Sequence, residues 1–290
     1  MLARSVTRCL FLSGIFTRVL SSSPSLSTFS PFSSPSRTFL SAIIGSSIST
    51  RSLCFLNNSS SDEENSERMG SISQGTPSIV QPKGEHKATV IFLHGLGDQG
   101  HGWADAFKSE VRLDNTKVIC PHSAERSVTL NMGMRMPAWY DLFGLDAESR
   151  EDDSGIASAA QYVHGLIDAE IAAGIPSNKI IVGGFSMGGA LAIYSGLTYS
   201  KPLGGILGLS SFFLQRTKFP GSNTANNSTK IFLGHGAADF LVPLPIGQLS
   251  EAAIKKFNPN VQLHVYKSMA HSSCPQEMKD VQEFIKSNVL

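Results

Sequence analysis

From Ala88 onward the chain alternates short, unbroken apolar runs with longer stretches in which apolar residues return every three to four positions. The run Ala88–Leu93 (A-T-V-I-F-L) has no polar face, which predicts a strand covered on both sides. Comparable runs lie at 117–120, 179–182, 205–209, 230–233 and 262–266, each bounded by Gly, Pro or polar turns. Between them, Ser154 opens a helix with Ile156, Ala160, Val163, Ile167 and Ile171 on one face, stopped by Gly174 and Pro176. A last helix starts at Pro275 and carries Met278, Val281 and Ile285 as its apolar stripe. Strands alternating with helices predict one α/β domain over 78–290, its sheet mostly parallel and covered by helices on both faces.

The first 61 residues read differently. They are Ser-rich, contain no acid, and carry Arg4, Arg8, Arg18, Arg37 and Arg51 among apolar residues, the composition of a disordered targeting leader. Arg18 interrupts the apolar stretch that a secretory signal would need, so import into a plastid or mitochondrion is the expectation. Residues 62–77 form a polar linker containing Met69, a second start that would give a shorter, cytoplasmic product. The chain as a whole carries 24 basic and 23 acidic residues; with the five leader arginines set aside, the remainder is net −4. A mildly acidic body disfavours nucleic acid as the partner. No apolar run approaches the ~18 residues of a membrane span, and the four cysteines form no CxxC pair, which argues against a disulfide scaffold or zinc ribbon.

Candidate chemistry centres on K-I-I-V-G-G-F-S-M-G-G-A from Lys179, where an apolar strand runs through G-F-S-M-G into a helical pattern. A Ser on so tight a turn tolerates little bulk nearby, hence Gly184 and Gly188 two residues to either side of Ser186. Its hydroxyl would project over the positive end of the next helix, where a developing oxyanion is favoured. Ser becomes nucleophilic only with a base and an orienting acid, which in this architecture follow in the order Ser, acid, His. Of the later histidines, His264 falls within a strand and His235 ends one, whereas His271 follows the last strand in a loop and is the expected base. Asp239, in the loop after His235, is the expected acid; Glu251, Glu277, Asp280 and Glu283 lie on helical patterns read as solvated faces. The oxyanion donors are expected to be the N–H of Met187 and that of Leu96, in the Gly-rich loop F-L-H-G-L-G-D. His94 in that loop precedes the Ser and reads as a loop-former ahead of a base. Neither it nor His101 has a carboxylate or Cys at ligand spacing, so no metal and no cofactor is expected.

These residues resemble the acyl-protein thioesterase, carboxylesterase and lysophospholipase family of α/β-hydrolases. The resemblance runs from about residue 86 to the C-terminus. It rests on V-I-F-L-H-G-L-G-D at Val90, V-T-L-N-M at Val128, M-P-A-W-Y-D at Met136, E-D-D-S-G-I at Glu151, G-G-F-S-M-G-G-A at Gly183, L-V-P at Leu241 and H-S-S-C at His271. It implies an α/β-hydrolase fold and a Ser186, Asp239 and His271 triad with Leu96 and Met187 as oxyanion donors. The implied substrates are S-acylated proteins and small carboxylic or lysophospholipid esters, with transient contact to a membrane surface. The chain departs from the family pattern in having Met187 where Gln is usual, Ala237 in place of a carboxylate, and Phe212 where Trp is frequent. Trp139, Phe143 and Phe212 are candidate acyl-pocket residues. The apolar segment holding Met132, Met134, Met136, Trp139, Leu142 and Phe143 reads equally as a cap over that pocket or as core. A receptor-like hydrolase that binds a small molecule with little turnover is the alternative from another class, and a peptidase on the same fold is a third.

Overall fold

The computed structural model describes residues 72–290 except Ala147; the leader and most of the linker lie outside the described residues. Its nine strands are β1 (Ser78–Val80), β2 (Ala88–Leu93), β3 (Thr116–Cys120), β4 (Glu125–Val128), β5 (Met134–Pro137), β6 (Ile180–Phe185), β7 (Gly205–Leu209), β8 (Ile231–Gly236) and β9 (Val261–Tyr266). Seven of them form one sheet in the order β1-β3-β2-β6-β7-β8-β9. All neighbouring pairs in it are parallel except β1 with β3. Five helices accompany it: α1 (Gly100–Ala106), α2 (Asp153–Ala172), α3 (Met187–Thr198), α4 (Leu244–Lys255) and α5 (Pro275–Val289).

Strand β2 shows why the apolar runs lack a polar side. Ala88, Val90 and Phe92 point to one face, where α1 contributes Trp103 and α5 contributes Met278, Val281 and Ile285. The alternate residues Ile91 and Leu93 join Ile156, Val163 and Ile167 of α2 and Leu191 of α3 on the other. Helix α4 adds Ile254 to a smaller cluster with Ile206, Ile231 and Leu233. Each such side chain, once fully buried, contributes about 1.5–3 kcal/mol. Helix α2 begins one residue before the expected Ser154, because Asp152 accepts the Gly155 N–H at 2.9 Å and caps it.

Three features were not foreseen. The segment with Met132 and Met134 is the tip of a β4–β5 hairpin whose turn places Met132 and Gly133 at φ 55° and 74°. Both methionines are exposed. Strand β1 is only three residues long and closes one edge. Upstream of it, within the stretch read as linker, Ile72 is buried in the core, and Gln74 N–H donates to His122 O while Ala124 N–H donates to Ile72 O.

Candidate active site

Strand β6 ends at Phe185, α3 begins at Met187, and Ser186 between them holds φ 53° and ψ −121°. Its neighbours explain the glycines. A Cβ on Gly184 would lie 2.4 Å from the carbonyl of Gly188, and one on Gly188 would lie 2.3 Å from the His94 carbonyl oxygen. The strand therefore turns into the helix at a distance that only glycine allows, and Ser186 N–H is held by Leu209 O at 2.8 Å.

Asp239 follows β8 and His271 follows β9, so both stand at the same carboxyl edge of the sheet as Ser186. His271 Nδ1 lies 2.8 Å from Asp239 Oδ2, and His271 Nε2 lies 3.0 Å from Ser186 Oγ. An ionised carboxylate only accepts, so Nδ1 carries the proton and the Nε2 lone pair faces the Ser hydroxyl. The other oxygen of Asp239 accepts the N–H groups of Leu241 and Val242, each at 2.9 Å. His235 is buried and donates from Nε2 to Val242 O at 2.7 Å, which shapes the Asp239 loop; His264 lies on β9 with its ring stacked on Phe232. Cys120 does not compete as a nucleophile, since burial pushes its thiol well up.

Leu96 and Met187, the expected oxyanion donors, belong to the two segments that meet at Ser186. A Cβ on Gly95 would touch Ser186 Cβ at 3.4 Å, so the β2 loop abuts the nucleophile. Among the described residues neither the Leu96 nor the Met187 N–H has a hydrogen-bond partner. Beside the site a cavity of about 260 Å³ is lined by Tyr140, Leu142, Phe143, Phe212 and Leu214 on one part and by charged residues, among them Asp146, Glu148, Arg150, Glu151 and Arg216, on another. Phe143 and Phe212 thus meet there. Trp139 does not: it is fully buried, its ring packs on His94 and Tyr162, and its Nε1–H donates to His94 O at 2.9 Å. None of the three triad candidates lines the cavity; the Tyr140 hydroxyl, 3.4 Å from Met187 O, joins the two. Among the described residues no group of three or more His, Cys, Asp or Glu is placed to hold a metal ion, and no helix is long and apolar enough to cross a membrane.

Glu277 corrects an expectation. It does not lie on a solvated face: it is fully buried in the first turn of α5, and neither oxygen has a hydrogen-bond partner. Burial, with Asp280 nearby, pushes its carboxyl up from 4.5 to about 8. The folded chain therefore keeps a proton that the unfolded chain releases above pH 4.5. Stability from this group is full below that pH and is lost as pH rises towards 8. Glu277→Gln removes the titration. In thermal melts the variant should gain on the wild type between pH 5 and 8, by at most about 4 kcal/mol; parallel curves would refute the assignment.

A family model described as phospholipase/carboxylesterase matches residues 74–289. Acyl-protein thioesterase 1 of Neurospora crassa is 41% identical over 228 residues, covering 75% of this chain and 93% of that protein. Its namesake in Schizosaccharomyces pombe is 40% identical over 214 residues, covering 72% and 94%. Among solved structures, acyl-protein thioesterase 2 of Zea mays superposes with a TM-score of 0.69 at 33% identity, over 75% of this chain and all of that one.

Proposed function

The chain belongs to the phospholipase/carboxylesterase family of α/β-hydrolases, and from that premise we propose that it cleaves fatty acyl thioesters and carboxylic esters through an acyl-enzyme on Ser186. Ser186 Oγ attacks the acyl carbonyl as its proton passes to His271 Nε2, and Asp239 holds the imidazolium that forms. The Leu96 and Met187 N–H groups receive the oxyanion. His271 then returns the proton to the departing thiolate or alkoxide, and water repeats the cycle to release the acid. The acyl chain runs beside Phe143 and Phe212 into the cavity. Substrates are S-acylated proteins or small lysophospholipid-type esters, met at a membrane surface. The observation that carries the reading is the contact series from Ser186 Oγ to His271 to Asp239, at 3.0 and 2.8 Å.

Steady-state hydrolysis of matched oxygen esters and thioesters from acetyl to palmitoyl tests it. Each methylene that packs on apolar side chains such as Phe143 and Phe212 contributes up to ~0.8 kcal/mol, so kcat/KM should climb by as much as ~4-fold per CH2 until the chain passes beyond that part of the cavity. A maximum at acetyl would remove depalmitoylation and leave a short-acyl esterase. Tight ester binding without turnover would replace the hydrolase with a receptor. The leader supports import into a plastid or mitochondrion, with a cytoplasmic product from Met69; fluorescent fusions of the full chain and of residues 69–290 separate the two.

A further inference from the structure

His94 immediately follows β2, is fully buried, and is not used by the steps above. Both of its ring nitrogens are engaged. Ser123 N–H lies 3.0 Å from Nε2, and a backbone amide can only donate, so Nε2 is bare. The proton of the neutral ring then sits on Nδ1, 2.8 Å from the carbonyl oxygen of Gly95, which also accepts the Asp98 N–H at the longer distance of 3.2 Å. Burial keeps the ring neutral by pushing its pKa down to about 4. With no nitrogen left over, His94 does not act as a second base.

The Gly95 carbonyl and the Leu96 N–H belong to one peptide plane and point in opposite directions across it. Whatever holds the oxygen also aims the hydrogen. Resting on the reading of Leu96 as an oxyanion donor, we propose that His94 is a positioning residue of the oxyanion hole, its Nδ1–H clamping Gly95 O so that Leu96 N–H faces the reacting carbonyl. The clamp is itself fixed from outside. Trp139 Nε1–H holds the His94 carbonyl, Gly97 N–H donates to Pro137 O at 2.8 Å, and Gly100 N–H donates to His122 Nδ1 at 3.0 Å. The loop is thus tied at its start, middle and end. The Leu96 N–H, left unpaired, is oriented before substrate arrives, which is the condition under which a dipole stabilises a transition state without reorganising.

Two isosteres divide the ring's functions. The side-chain nitrogen of Asn takes the place of Nδ1 and keeps the donor to Gly95 O; the side-chain oxygen of Gln takes the place of Nε2 and keeps only the acceptor for Ser123. His94→Gln should lower kcat by about 10²-fold on esters and thioesters alike, with KM within about threefold, since an oxyanion donor is worth ~10²–10³ in kcat. The Ki of a trifluoromethyl ketone bearing the same acyl chain should weaken by the same factor. His94→Asn should recover about tenfold or more of the loss. Equal loss in both variants, or a change in KM alone, would overturn the proposal. Ring 15N shifts of the wild-type chain give a test that needs no variant to fold: Nδ1 protonated and Nε2 bare at pH 6–8 supports it, and the opposite tautomer sinks it. Failure of the Ser186 hydrolase reading looks different, because turnover would then persist in Ser186→Ala; failure of the Leu96 reading alone leaves Ser186→Ala inactive while His94→Gln keeps wild-type kcat and inhibitor Ki.

Discussion

Replacing Ser186 with Ala should lower kcat on every ester and thioester by on the order of 10⁶-fold while leaving the fold intact, the scale seen when a triad nucleophile is removed. That factor corresponds to about 8 kcal/mol of transition-state stabilisation. The change deletes one oxygen. The backbone bond from Ser186 N–H to Leu209 O and the glycine contacts at 184 and 188 do not depend on it. Neither Cys120 nor His94 offers a substitute nucleophile, since the Cys120 thiol is buried with its pKa raised and His94 has both nitrogens occupied. Melting temperatures should agree within about 2 °C, so that lost activity cannot be lost protein. Adding His271→Ala to the same chain should cost little more, because the two act as a unit. Turnover that survives Ser186→Ala would disprove the triad.

Asp239→Asn should cost about 10⁴-fold in kcat with little change in KM. The reason is the way this carboxylate is held. Its Oδ1 accepts two backbone N–H groups, from Leu241 and Val242. An Asn here must keep oxygen at that position, which leaves its NH2 group facing His271. Nδ1 would then accept instead of donate, and the ring proton would move to Nε2 and point at Ser186 Oγ. The base would be present, correctly placed, and in the wrong tautomer. Circular dichroism should be unchanged. Loss of less than about tenfold would mean that another acid orients His271.

Much of this was legible because parallel strands buried on both faces print themselves as apolar runs, and Ala88–Leu93 and Gly205–Leu209 have the predicted bounds. Residues 179–182 and 230–233 were read short, since β6 and β8 continue through Gly183, Gly184, Gly234 and Gly236, residues that carry no strand signal. Where Ser186, Asp239 and His271 sit relative to one another follows from strand order, and there loop position after a strand was sufficient. Glu277 was not legible. Its carboxyl occupies the room left by the missing side chain of Gly234 on β8, a Cβ there being 2.3 Å from its Oε1, and the periodicity of a helix carries no trace of that. Trp139 was misplaced for a similar reason: three residues from the cavity-lining Leu142, it turns inward because the His94 carbonyl awaits its N–H. Strand β4, E-R-S-V, lacks an apolar alternation and is defined by its partner rather than by itself.

The tight turn around Ser186 also bears on how such a chain can change over generations. At 184 and 188 even a methyl group would meet backbone within 2.4 Å, so those positions are closed to substitution. Position 187 lies between them, yet the proposed mechanism asks only for its amide. Its side chain is turned into the core that holds Ala190 and Leu191, with the Tyr140 hydroxyl against its carbonyl. Exchange at 187 is thereby governed by packing alone: Met187 is fully buried, and side chains of similar volume are the ones it can give way to. A lineage can vary that side chain within those bounds while the amide beside the nucleophile is inherited unaltered.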